Sequence, residues 1–267
     1  IDSDLAFAVT FKHDEGLEER LTPCVQCALL YTTSSGCRRI RVLTLGLKAT
    51  SQIASVYRYA DLEAISNVLM RRAVSNAAKS TLHQVREGVV NECVNILYTY
   101  RRTCATNNNS AQLILPESLK LLPLYALALQ KNPLMRAGTE IRADERAALM
   151  AQASRMAVTA SAAFIYPRLW AVHALGEPTW DEQHGTPQLT ALPTPLPLSY
   201  EKLEPDGIYI VDDAVALTLW IGRGVREALL HALLHLPSME GIDCSRLCVP
   251  LLDSPLSQRV HQLIGMV

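Results

Sequence analysis

The stretch Ala111–Lys131 reads AQLILPESLKLLPLYALALQK, and two prolines divide it. Pro116 follows an apolar run, and Leu115 is expected to be extended because a proline disfavours the helical region for the residue before it. Pro123 suits the first position of a helix, where its missing N–H costs nothing. The helix that follows is predicted to bury one apolar side in a core. That side consists of Leu124, Leu127 and Ala128.

The first 58 residues are predicted to be β. Apolar and other residues alternate along 5–12, which is the pattern of a strand with one buried face. A second strand is predicted over Cys24–Thr32 and a third from Arg38 to about Lys48, with a turn at Ser34-Ser35-Gly36 between them. Three strands do not make a self-sufficient sandwich, so this segment is expected to belong to a larger sheet.

Residues 59–164 are predicted to form an α-helical bundle. A run over about Thr81–Tyr100 carries an apolar stripe of helical period. The stripe consists of Val85, Val89, Cys93, Ile96, Leu97 and Tyr100. Further helices are predicted from Ala60-Asp61 to Val74 and over Asp144–Met156, where acidic residues lie near the positive end of the helix dipole.

Residues 165–253 have the pattern of a small α+β module, followed by a helix within 254–267. Strands are predicted at Ile165–His173, Ile208–Val211, Val215–Ile221 and Leu247–Leu252, and helices at Gly224–His235 and Pro255–Gly265. Pro167 makes the first of these an edge strand or one that ends in a bulge. Glu177–Pro197 is rich in proline and is predicted to be a surface loop. Trp220 alternates with apolar residues and is expected to be buried.

Three blocks of the chain resemble the Sec24 family, the cargo-binding subunits of the COPII vesicle coat. Ala28–Leu47 (ALLYTTSSGCRRIRVLTLGL) is similar to their β-sandwich, Ala111–Tyr125 to their helical domain, and Gly207–Gly222 (GIYIVDDAVALTLWIG) to their gelsolin-like domain. The blocks follow the family's order and spacing. The resemblance implies a multidomain α+β protein with a β-sandwich portion at 1–58, a helical domain at 59–164 and a gelsolin-like domain at 165–253.

The resemblance also implies a function. The chain is expected to be the C-terminal portion of a non-catalytic cargo adaptor for transport from the endoplasmic reticulum to the Golgi. It would be cytoplasmic and peripheral on the endoplasmic reticulum membrane and on COPII vesicles. The implied partners are a Sec23-like subunit, the small GTPase Sar1 acting through Sec23, and cytosolic tails of membrane cargo. No cofactor is expected, since the family's zinc finger would lie outside this chain.

Composition limits the alternatives. The formal net charge is −1, which gives no support to nucleic-acid binding through bulk basicity. Hydrophobic residues make up 49%, enough for a substantial core. Seven cysteines are an odd number, and a reducing compartment is the simplest setting for them. No apolar run approaches the roughly 20 residues that a membrane-spanning helix needs, so any membrane association is expected to be peripheral.

Three clusters invite a metal interpretation. Cys24 and Cys27 are three apart on a predicted strand, so they point to opposite faces. A metal-dependent enzyme would use His231 and His235, four apart on a helix, with Cys244 and Cys248; the glutamate of a metalloprotease is missing. Asp212 and Asp213 could belong to a calcium- or actin-binding gelsolin relative, but calcium needs six or more oxygens, and turn formation is the simpler interpretation.

Two further questions concern function within the family. One alternative is a sister subunit of the Sec23 type, which shares the architecture and stimulates GTP hydrolysis. The amino-acid sequence of the blocks is more similar to Sec24. Arg38, Arg39 and Arg41 form the densest basic cluster and are the candidate cargo-binding residues, because arginine pairs with carboxylates through two parallel hydrogen bonds. The simpler interpretation is that they protect a sheet edge or solvate a face.

Overall fold

The chain divides into two structural units, Ile1–Arg155 and Met156–Val267. The computed structural model describes residues 5–12, 14, 16–105, 114–138, 140–176, 179–180 and 187–267. The first unit holds two strands, β1 (Cys24–Thr32) and β2 (Arg38–Gly46), and then five helices among the described residues. These are α1 (Ile53–Arg58), α2 (Leu62–Ala77), α3 (Leu82–Cys104), α4 (Leu122–Lys131) and α5 (Ala143–Ala153).

β1 and β2 form an antiparallel hairpin in which Cys24 pairs with Gly46 and Thr32 with Arg38. Gly36 closes the turn with φ +83°, a conformation that a residue with a side chain rarely adopts, so the predicted turn is confirmed. The strand predicted over residues 5–12 is wrong. Within the described residues this segment has no strand partner, and Phe7, Val9 and Phe11 are exposed.

The predicted stripe of α3 is confirmed. Val85, Val89 and Cys93 are buried, and the helix begins after Thr81, whose hydroxyl accepts from the backbone N–H of Gln84. The Gln84 side chain accepts from the backbone N–H of Thr81 in return, which completes a capping box. This local chemistry explains why the start of α3 could be predicted to within one residue.

The apolar side predicted for α4 is wrong. Leu124 and Leu127 are exposed, whereas a neighbouring face of the helix is buried against α2 and α3. The buried residues are Leu122, Ala126 and Leu129. The helix is apolar on nearly every side, so periodicity could not choose between the two stripes, and Pro123 occupies its second position.

Two arginines hold the end of α4. The Arg86 guanidinium donates to the carbonyl oxygens of Gln130, at 2.6 Å, and Met135, at 2.9 Å. The Arg146 guanidinium donates to the carbonyl oxygens of Pro133 and Leu134. These carbonyls lie in the last turn of α4 or just beyond it, where intrahelical donors run out.

The second unit contains a three-stranded antiparallel sheet. The helices and strands of this unit are α6 (Val158–Ile165), β3 (Arg168–Ala171), β4 (Thr179–Trp180), β5 (Pro187–Gln188), β6 (Ile208–Asp212), β7 (Leu217–Ile221), α7 (Glu227–Leu234) and α8 (Pro255–Met266). The order β3-β6-β7 leaves β3 and β7 as edge strands, while β4 and β5 form a separate pair. One face of the larger sheet packs on α7 and α8 through a core that includes Ile208, Ile210 and Leu233.

Two strand predictions need correction. β3 is shorter than the predicted Ile165–His173, because α6 continues to Ile165 and a 3-10 turn follows at Val172–Ala174; it does lie at a sheet edge. The predicted strand at Leu247–Leu252 is absent, and the segment has no regular secondary structure. Pro250 has no N–H for a ladder, and its carbonyl oxygen accepts from the Ser257 hydroxyl instead. Residues 177–178 and 181–186 of the predicted loop lie outside the described residues.

Gly222, just after β7, is held by a close backbone contact. Its N–H donates to the Gly207 carbonyl oxygen at 2.9 Å. A Cβ atom added to Gly222 would lie 2.1 Å from the carbonyl oxygen of Pro205, which no real Cβ contact allows. At Gly224 the same oxygen would be 3.4 Å away, an ordinary contact. Glycine is therefore required at the first position and not, on packing grounds, at the second.

Candidate functional site

The three candidate cargo-binding arginines lie on β2 near the hairpin turn. Cross-strand pairs share a face, so Arg41 lies beside Leu29, and Arg39 beside Tyr31. Arg38, one position away, lies on the opposite face, as the alternation of a strand requires. All three side chains are exposed, and no carboxylate among the described residues pairs with them.

The face that carries Arg39 and Arg41 changes character along β2. Its next two residues, Leu43 and Leu45, are exposed by about three fifths (62% and 60%). The face is thus basic near the turn and apolar farther along. The two arginines are two residues apart on one face, roughly 7 Å along the strand, so their like charges repel. An anionic group bound between them would relieve that repulsion and could accept paired hydrogen bonds.

Asp212 and Asp213 use their oxygens within the protein. Asp212 is buried, and its Oδ2 accepts from the Arg168 guanidinium, with Nε at 2.7 Å. Its Oδ1 accepts from the backbone N–H of Ala214 at 2.8 Å. Asp213 Oδ1 accepts from the N–H groups of Val215 and Ala216 at 2.9 and 2.7 Å. These bonds close the turn between β6 and β7, so the predicted turn role is confirmed.

The four candidate metal ligands of this unit are two histidines at the end of α7 and two cysteines in the segment after it. The rings of His231 and His235 lie 4.5 Å apart, but His235 has left α7 and adopts a left-handed conformation. Cys244 and Cys248 are exposed. Within the described ranges, no group of three or more His, Cys, Asp or Glu side chains is close enough to hold a metal ion.

The two cysteines of the first strand, Cys24 and Cys27, lie on β1, and both are exposed. Being three apart on a strand, they occupy opposite faces, as their spacing predicted. Among the remaining cysteines, Cys93 is buried in α3, and burial raises the pKa of its thiol above the usual range. A raised pKa disfavours the thiolate that metal binding requires.

Trp220 is half-buried rather than fully buried. It lies on the face of β7 opposite to Leu219 and Ile221, which pack on the α7–α8 core. Its ring makes an edge contact with Tyr209, with 5.5 Å between ring centroids. The side chain of Tyr209 is fully buried, and its hydroxyl donates to the Lys202 carbonyl oxygen at 2.8 Å.

Sequence reasoning located the arginine cluster but missed the Arg168–Asp212 pair and the Tyr209 anchor. The sequence predicts a turn at Asp212 but no partner for it, because Arg168 is 44 residues away along the chain. For Tyr209, the feature of the sequence that indicates burial is the continuous apolar run of β6. Pairing between β3 and β6 aligns Arg168 directly with Asp212, so the sheet register creates the contact.

Comparisons with known proteins agree with this architecture. Residues 61–163 match the Sec23/Sec24 helical domain, residues 1–50 the Sec23/Sec24 beta-sandwich domain, and residues 190–263 the gelsolin repeat. The class is therefore a multidomain α+β protein of the Sec23/Sec24 type, with a β-sandwich portion, a helical domain and a gelsolin-like domain. The domain boundaries at 58, 164 and 253 stay predictions.

The relatives narrow the class. Human protein transport protein Sec24D is 34% identical over 267 residues, which is 100% of this chain and 25% of the relative. Arabidopsis thaliana protein transport protein SEC24 B is 35% identical over 267 residues, covering 23% of that protein. The crystal structure of the human COPII-coat protein Sec24c matches with a TM-score of 0.80 and 32% identity, over 96% of this chain and 32% of that one.

The chain belongs to the Sec24 family. It spans about a quarter of the length of the curated relatives it matches. Among the described helices, none combines the length and the apolar character that crossing a membrane requires.

Proposed function

We propose that this chain is part of a COPII coat subunit that selects cargo for vesicles leaving the endoplasmic reticulum, and that it acts without catalysis. The observation that supports this most strongly is the similarity to Sec24 proteins over the whole chain, 34% for human Sec24D. The match to the solved COPII-coat protein Sec24c adds agreement in fold. Its place of action would be the cytoplasmic surface of the endoplasmic reticulum membrane and of COPII vesicles.

The partners belong to the same proposal. A Sec23-like subunit would bind the complete protein, and the small GTPase Sar1 would act through that subunit. The cytosolic tails of membrane cargo would be the ligands. A coat subunit works by holding such groups together, which requires exposed binding surfaces rather than reactive side chains.

A chimera tests the coat function directly. Replacing the matched quarter of human Sec24D with residues 1–267 of this chain should preserve binding to a Sec23-like subunit and vesicle release in a reconstituted budding reaction. Matched replacement with the corresponding quarter of Arabidopsis SEC24 B is the control for chimera folding. If the control chimera supports vesicle release and the test chimera does not, the proposal fails.

Arg38, Arg39 and Arg41 are the proposed cargo contact. The support is their exposure, the lack of a carboxylate partner among the described residues, and the apolar Leu43 and Leu45 on the same face as two of them. A cargo tail that presents acidic residues followed by apolar ones would complement this face in charge and in polarity. Each arginine could bind a carboxylate through two hydrogen bonds.

Peptide binding tests the contact. A synthetic peptide with two acidic residues followed by two leucines should bind the 267-residue chain about tenfold more weakly after Arg39→Glu/Arg41→Glu, since charge-assisted bonds are lost and repulsion appears. Arg20→Glu/Arg142→Glu makes the same charge change at other exposed positions and should leave binding nearly unchanged. Raising salt should weaken the parent. Equal loss in both double variants would show a bulk charge effect and remove the site.

A further inference from the structure

The outer edge of β7 has unpaired backbone groups. β7 is the last strand in the order β3-β6-β7, and no described residue pairs with its outer side. Two hydrogen bonds fix which groups are free: Gly222 N–H donates to the Gly207 carbonyl, and Asp213 N–H to the Ala216 carbonyl. In an antiparallel pair, bonded and non-bonded residue pairs alternate.

That alternation decides the direction of each backbone group on β7. Trp220 and Thr218 fall at the bonded positions facing Tyr209 and Val211 of β6. The residues between them therefore direct their N–H and C=O groups away from the sheet. These residues are Leu217, Leu219 and Ile221. Strand edges of this kind accept an additional strand, and the sequence LTLWI carries neither a charge nor a proline to prevent it.

A groove of about 880 Å³ lies along this edge. It is termed the β7 groove. Its walls are more apolar than polar, and its volume is in the range of peptide and small-ligand sites. The side chains that form it include Leu217, Leu219, Ile221, Met239, Leu247 and Val249. Leu247 and Val249 belong to segment 247–252, whose backbone makes no ladder hydrogen bond to β7 among the described residues.

The charges of the groove indicate what it would accept. Among its lining residues in the described part of the chain, only Arg223 and Glu240 are charged, and their signs cancel. An acidic or basic tail gains nothing from such walls, and a charged side chain inside them would lose its hydration. An uncharged extended segment would place alternate apolar side chains in the groove and keep its backbone groups bonded.

We propose that the β7 groove binds an uncharged, extended peptide segment of a partner protein, which adds as a strand to the free edge of β7. Leu217, Leu219 and Ile221 would exchange backbone hydrogen bonds with the peptide. Met239, Leu247 and Val249 would contact its apolar side chains. The β7 groove differs in chemistry from the arginine cluster of the β1–β2 hairpin and lies in the other unit. This proposal therefore does not depend on the proposed cargo contact.

Hydrogen exchange of single amides tests the free edge. In the 267-residue chain alone, the Leu219 amide should exchange much faster than the Trp220 amide, which is bonded to β6. Adding a capped seven-residue peptide of alternating valine and threonine should slow Leu219 and leave Trp220 unchanged. A Leu219 amide that is already protected in the free chain would mean that segment 247–252 or a second copy covers the edge, and would overturn the proposal.

Two binding comparisons complete the test. Fluorescence anisotropy with the same peptide, labelled, should give binding that is about tenfold weaker for Met239→Lys, because a charge enters the groove. Met266→Lys, on the exposed end of α8, should bind like the parent. Two further peptides carry N-methyl groups at the odd or at the even backbone nitrogens. At least one of them should bind about tenfold more weakly, because its N–H groups can no longer bond to β7. Equal binding of all peptides, or preference for a glutamate-containing analogue, would contradict strand addition.

Discussion

The hairpin β1–β2 and the sheet β3-β6-β7 are both antiparallel, yet they are stabilised in opposite ways. Every residue of β2 is exposed, whereas four of the five residues of β6 are buried. The hairpin is determined by its turn and its backbone bonds. The sheet is determined by packing against α7 and α8. The comparison shows that packing against other elements, and not strand pairing alone, makes a strand position intolerant of change.

The largest expected effect is at Gly222. Gly222→Ala should unfold the second unit, because the new Cβ would overlap the Pro205 carbonyl oxygen and neither backbone can move without breaking the sheet. All three tryptophans, Trp170, Trp180 and Trp220, lie in that unit, so tryptophan fluorescence during urea denaturation measures its stability. Gly224→Ala is the matched control and should unfold near the parent's midpoint. Equal midpoints for both variants would contradict the close contact.

A matched pair of isoleucines measures the difference in packing. Ile210→Ala should lower the free energy of unfolding of the second unit by about 3 kcal/mol, as for other buried isoleucines. Ile40→Ala, at a side chain that is 67% exposed, should change the first unit by less than about 0.5 kcal/mol. Urea denaturation gives both values. It is followed by tryptophan fluorescence for Ile210→Ala, and by far-ultraviolet circular dichroism for Ile40→Ala. A large loss at Ile40 would show that another surface covers the hairpin in solution.

The arginines of the two regions should also differ. Arg168→Met leaves the buried Asp212 carboxylate without its charged partner, and a loss of about 2 kcal/mol in the second unit is expected. Asp212 keeps its bond from the Ala214 N–H, which limits the effect. Arg39→Met removes an exposed charge and should leave the stability of the first unit within about 0.5 kcal/mol. The same denaturation experiments compare them, and similar losses would mean that Arg39 is paired.

The smallest expected effect is at the hairpin turn. Gly36→Ala introduces a side chain at φ +83° in open space, so the cost is conformational and about 1 kcal/mol. Hydrogen exchange of the β1 and β2 amides should accelerate, while the β6 amides should not change. Gly36→Asn, which tolerates positive φ better, should recover part of the loss. An effect on β6 would contradict the assignment of the two strand pairs to separate units.

Much of the candidate site could be predicted from sequence, and the reason is its local nature. The arginines occupy neighbouring positions on one strand, and the strand, its turn and its alternation are all properties of residues 24–46. The Arg168–Asp212 pair and the β7 groove could not be predicted in this way. The first depends on sheet register between distant segments, and the second on the failure of segment 247–252 to join the sheet.

The sequence by itself determined the features whose causes lie within one turn or one strand. The capping box of Thr81 and Gln84, the glycine of the hairpin and the proline that starts α8 each act on their immediate neighbours. Only the tertiary structure decided which side of α4 is buried, whether segment 247–252 pairs, and where Trp220 points. Those outcomes depend on the surfaces that distant residues present, because burial and strand pairing are interactions between segments and not properties of either segment alone.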